Sequence, residues 1–182
     1  ICSDCSIQSL GKIMGLKSKI TILNVIIFSV AFAFVEASVV VYLRHLLGAS
    51  YSEIGKSQVL LLLPGIAFLQ PQAAIMVIQD SALLKMEMIR EAFTLIMLAS
   101  VAVLAGKKLK EQIAYFFFAF GIWDIFYYVF LKLTIGWPKG FSDLDIFFLL
   151  PTPWVGPIYV PLLISSVLVA GSLIYLRKNN YS

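Results

Sequence analysis

The sequence predicts an all-α integral membrane protein. It is read as a four-helix transmembrane bundle carrying an additional re-entrant or interfacial hydrophobic segment at 59–78. Three observations carry that reading. Of the 182 residues, 60% are hydrophobic and only 13% are charged, where a soluble domain carries roughly 25% charged residues. The mean hydropathy is +0.94, too high for one small core to hide, so the lipid bilayer is the implied solvent. The apolar residues also fall into runs long enough to span, since a crossing helix needs about 20 residues. The formal charge of +4 sits at the ends of those runs, where Lys and Arg orient a membrane protein. No nucleic-acid partner is implied.

Residues 1–19 form an N-terminal tail. Met14-Gly-Leu-Lys reads as a natural start, so the residues before Met14 are read as an upstream extension, a fragment scar or a tail. Cys2-Ser-Asp-Cys5 matches C-x-x-C, but no second pair or nearby His completes a metal site, and the spacing is read as incidental. A single transmembrane domain covers 20–176, with spans at about 20–47, 82–106, 112–136 and 155–176, and a tail at 177–182.

The segment 59–78 is apolar but interrupted by Pro64-Gly65 and Pro71. Charge placement argues against its crossing. If it stays on one side, Lys12, Lys17, Lys19, Lys107, Lys108, Lys110, Arg177 and Lys178 share one face, opposite Arg44, Lys56 and Lys139. That is a positive-inside pattern, placing the chain in the cell membrane as a multi-pass protein with both termini cytoplasmic. Broken backbone at membrane depth needs protein or water beside it, so 59–78 is expected over the bundle on the outer side. The loop from Trp137 to Trp154, rich in aromatics and proline, is expected to be structured, with Pro151, Pro153 and Pro157 fixing the entry to the last helix.

Glu36, Glu91 and Asp124 each interrupt a spanning run, and a carboxylate at bilayer depth costs about 2.5–3.5 kcal/mol on insertion scales. Counted from the outer helix ends at 1.5 Å per residue, all three lie roughly 14–18 Å deep, near one level. Glu87, Arg90, Glu91 and Thr94 follow i, i+3, i+4, i+7 on one helix stripe. Asp124, Tyr127 and Tyr128 share another face, and Arg44 lies two turns from Glu36 near the outer mouth. Arg90 is the nearest partner for a buried carboxylate, with Tyr127 and Tyr128 expected beside Asp124. The candidate ligand- or proton-binding residues are therefore Glu36, Arg44, Glu87, Arg90, Glu91, Asp124, Tyr127 and Tyr128. Below them the Phe116–Phe120 region is apolar, so the pocket is expected to open outward and close inward. Gly106 is read as a helix stop, and Gly121 as a close helix contact.

Known chemistries narrow little further. His45 is the single histidine and is read as a surface or interface residue, which disfavours a histidine-built metal centre, and no metal site is assigned. No cofactor is identified. Glu87-Met-Ile-Arg90-Glu91 resembles the Glu/Arg motifs of CAAX-type membrane proteases, whose partner histidines this chain lacks. The leading expectation is a small polytopic protein whose pocket binds or moves a proton, cation or small polar solute, in a homo-oligomer or with a partner membrane subunit. One alternative is a membrane enzyme acting on a lipid or quinone-like substrate, with Asp124 or Glu91 as general acid/base and Arg44 and Arg90 on an anionic head group. The other is a structural accessory subunit.

Overall fold

The computed structural model describes residues 3–47, 59–63, 66–69 and 81–179. Four long helices dominate it: α1 (Ser3–Leu47), α2 (Ser81–Ala105), α3 (Leu109–Ile135) and α4 (Tyr159–Asn179). Each contains a stretch long and apolar enough to cross a membrane, at Ser18–His45, Ala82–Ala105, Leu109–Ile135 and Tyr159–Lys178. The last starts later than the sequence suggests. Residues 154–157 are extended, consistent with the fixed φ of proline at 153 and 157, and the helix begins only after Ile158. The Cys2–Cys5 pair lies outside the described side chains, as does the stretch 70–80.

α3 is the hub and packs against each of the other three helices. A three-residue link joins it to α2. There the Gly106 amide donates to the Ala102 carbonyl at 3.0 Å and the Lys107 amide to Glu111 Oε2 at 3.0 Å. A Cβ at Gly106 would lie 2.6 Å from the Gln112 nitrogen, so this turn closes only around glycine. At the other end of α3, Gly136 adopts φ +67° and its amide caps the Lys132 carbonyl.

A small antiparallel sheet joins the helices, an element absent from the sequence reading. Strands β1 (Val59–Leu63) and β2 (Ile66–Leu69) pair antiparallel as one hairpin, and β3 (Leu144–Phe148) and β4 (Trp154–Pro157) form a second. β2 pairs with β4, giving the order β1-β2-β4-β3. The described part of 59–78 is thus strand pairing: β1 pairs with β2, and β2 pairs with the other loop at Ala67 and Phe68. Because one hairpin follows α1 and the other follows α3, both leave the bundle at the same end. Phe68 packs on Trp154 across the β2–β4 contact, ring centroids 4.9 Å apart.

The opposite half of the bundle is apolar. Ala33, Leu98, Phe118 and Ala119 are buried there, with Val25, Ala102, Ala114 and Tyr115 around them. The Phe116–Phe120 run divides between packing and periphery: Phe118 is fully inside and Phe117 faces out.

Candidate functional site

The deep acids lie near one level. From the sheet-end termini of their helices, Leu47, Ser81 and Ile135, Glu36, Glu91 and Asp124 stand 11, 10 and 11 residues in. At 1.5 Å per residue that is about 15–17 Å. All three line one cavity of about 130 Å³ between α1, α2, α3 and strand β3. Arg44, Glu87, Arg90, Tyr127 and Tyr128 line it too, so the eight residues singled out from the sequence converge on a single space.

On α2 the stripe read from the sequence faces inward. Arg90 bridges two carboxylates: Nε and Nη2 donate to Glu87 Oε2 at 2.9 and 2.7 Å, and Nη1 pairs with Glu36 of α1. A fork contact of this kind is what a guanidinium does best. The Thr94 hydroxyl lies 2.9 Å from Glu36 Oε1 and 3.0 Å from the Arg90 carbonyl. Its single proton serves one acceptor at a time. Glu36 is brought in by the small residues flanking it, Ala33 and Ala37, both buried.

Glu91 points elsewhere. Its carboxylate accepts the backbone N–H of Leu149 at 2.9 and 3.0 Å and that of Leu150 at 3.3 Å. It therefore holds the end of β3 against α2.

Asp124 is placed by a close crossing of α3 and α4. A Cβ at Gly121 would lie 2.7 Å from the Ser165 carbonyl oxygen, so the helices meet there without a side chain between them. One turn along, the Ser165 hydroxyl donates to Asp124 Oδ2 at 2.7 Å. Tyr127 and Tyr128 line the cavity with Asp124; the Tyr128 hydroxyl donates to Asp145 Oδ2 at 3.1 Å, and Tyr127 stacks on Trp123.

Asp145, on β3, was missed by the sequence reading. It is 3% exposed, and Arg44 approaches its Oδ1 to 3.6 Å while stacking over the Trp137 ring at 3.8 Å. Burial pushes the Asp145 carboxyl up to about 7; the Arg44 charge and the Tyr128 hydroxyl pull the other way and only partly offset it. Near neutral pH the group is poised between its two protonation states. One signal in the sequence marks it: a lone acid inside the extended apolar run Leu144–Phe148, whose neighbour Asp143 instead accepts the Lys139 and Gly140 amides of a turn. Ser165 and the Leu149 and Leu150 amides carry no comparable mark.

The other polar groups of this region are structural. Lys132 donates to the Pro138 carbonyl at 2.7 Å, closing the end of α3, and His45 is exposed. Among the described residues no three His, Cys, Asp or Glu side chains are grouped to hold a metal ion. No protein-family model, curated protein or solved structure matches this chain.

Proposed function

We propose that this membrane protein uses the cavity to bind or move protons, a small cation or a small polar solute. One observation carries the reading: five carboxyl groups, Glu36, Glu87, Glu91, Asp124 and Asp145, share the cavity lining with two guanidiniums, Arg44 and Arg90. Fully ionised, the lining holds three negative charges in excess. Uncompensated buried charge costs several kcal/mol per ion, so protons or a bound cation must neutralise the surplus. The positive-inside pattern supports the sheet side as the outer face and the side from which the cavity is reached, and the packed Phe118 layer supports closure toward the other. Four spans are few for a stand-alone carrier, which favours an oligomer or a partner subunit.

The test is reconstitution. Vesicles carrying the wild-type chain should take up cations or show a cation-dependent pH change, and Glu36→Gln, Glu91→Gln and Asp124→Asn should each reduce it. Wild-type behaviour in all three amides would overturn the proposal. The accessory-subunit reading draws on Glu91, whose clamp on β3 is a structural bond. It predicts that the amides lower stability alone.

A further inference from the structure

We infer that the preferred occupant of the cavity is a small organic ammonium ion, not a chelated metal ion. The inference rests on the acidic-cavity reading and names its ligand class. Three features separate an ammonium from an inorganic cation.

The first is the state of the carboxylates. Glu36 is engaged by Arg90 and Thr94, Asp124 by Ser165, Glu91 by two backbone amides and Asp145 by Tyr128 and Arg44. Oxygens already fixed by donors supply long-range negative potential, but they are poorly disposed to close as inner-sphere ligands, which hard cations such as Ca²⁺ require in sets of six to eight. An ammonium with carbon substituents asks for negative potential without that coordination shell.

The second is the aromatic wall. Trp123, Tyr127, Tyr128 and Phe148 line the same cavity as the acids, with Tyr127 stacked on Trp123 and edge-on to Tyr128. Ring faces beside surplus negative charge are the pattern that holds alkylammonium groups through cation–π attraction. A hydrated metal ion gains little from such a wall.

The third is Trp123. It is 7% exposed, and its indole N–H is buried with no acceptor among the described residues. Buried donors are almost always satisfied, so a polar occupant carrying an acceptor oxygen beside its ammonium group would complete this one. The cavity volume of about 130 Å³ approaches the roughly 150 Å³ of a cavity that accepts benzene, a space for a handful of heavy atoms. Such a group occurs both in free small amines and in the head groups of amine-bearing phospholipids.

The experiment is calorimetric titration of the full chain in nanodiscs of phosphatidylglycerol alone. Ethanolammonium, choline and sodium chlorides, the first two carrying an acceptor oxygen beside the ammonium group, are added in turn at matched ionic strength, with proton release followed in parallel. The inference expects saturable binding of at least one ammonium at concentrations where sodium is silent. Tyr127→Leu should weaken that binding about tenfold, and Tyr127→Phe, which keeps the ring, should restore it. A cooperative thermal unfolding transition of Tyr127→Leu in the same nanodiscs establishes that the variant is folded. Nanodiscs containing phosphatidylethanolamine or phosphatidylcholine distinguish the sources: competition by the lipid marks a head group as occupant, and its absence marks a free amine. Binding of sodium or protons without ammonium overturns the inference and leaves the acidic-cavity reading standing. No cation binding and no proton release overturns both.

Discussion

The two halves of the bundle are built from the same helices by opposite means. Toward the Gly106 link, α3 presents Ala114, Phe118 and Ala119 to Val25, Ala33 and Leu98, and the space closes by volume. Toward the sheet it presents Asp124, Tyr127 and Tyr128, and the space stays open around charged partners. A bundle that needed only to persist in lipid could repeat the first solution along its whole length. Two serines mark the contrast. Ser29 and Ser165 are equally buried, at 0% and 1% exposure, yet Ser29 lies in the apolar half with no partner for its hydroxyl among the described residues, while Ser165 holds Asp124.

The comparison breaks most readily at Arg90. Arg90→Ala leaves Glu36 and Glu87 buried without their shared cation, and a loss of about 3–5 kcal/mol is expected in folded-state stability. Unfolding in detergent micelles would measure it. The triple variant Arg90→Met, Glu36→Gln, Glu87→Gln should recover most of that loss, because the uncompensated charge goes with the partner. If the triple variant stays as unstable as Arg90→Ala, the ion pair is not what governs this half.

The serine pair gives a smaller effect of opposite sign. Ser165→Ala removes the donor to Asp124 and should destabilise by about 1.5–3 kcal/mol. Ser29→Ala removes a buried hydroxyl that makes no bond and should be neutral or stabilising by up to about 1 kcal/mol. Thermal unfolding of the two variants side by side tests the contrast; destabilisation of equal size would erase it.

Asp145 sharpens the sheet end through pH. Its carboxyl sits at about 7 in the folded protein, against an ordinary 3.8, so between those values the folded state binds more protons than the unfolded chain. Stability from this group is therefore present below pH 4 and lost as pH rises toward 7. Asp145→Asn should flatten that part of the stability–pH curve. An unchanged slope would mean that another group sets it.

How much of this was legible depended on which forces wrote it. The spans and the α2 stripe were legible because helical period and membrane depth are one-dimensional properties of the chain: Glu87, Arg90, Glu91 and Thr94 share a face whatever lies opposite. The short link at Gly106 and the close contact at Gly121 were legible for a similar reason, since a missing side chain marks a close approach. The sheet was not. Val59–Leu63 and Ile66–Leu69 are apolar without alternation, and the pairing of Ile66–Leu69 with Trp154–Pro157 joins residues nearly ninety positions apart. The serine partner of Asp124 was not legible for the same reason. Ser165 reaches it only because α3 and α4 cross at Gly121, a geometry that spacing along one helix cannot supply.

The central claim is that the surplus negative charge of the cavity is neutralised by exchangeable protons or cations. Proton release from the reconstituted wild-type chain near pH 7, measured in weak buffer as a cation is titrated in, tests it most directly. The account predicts saturable release that shrinks in Asp124→Asn and in Asp145→Asn. Cation additions that release no protons and bind nothing in the wild type would contradict it.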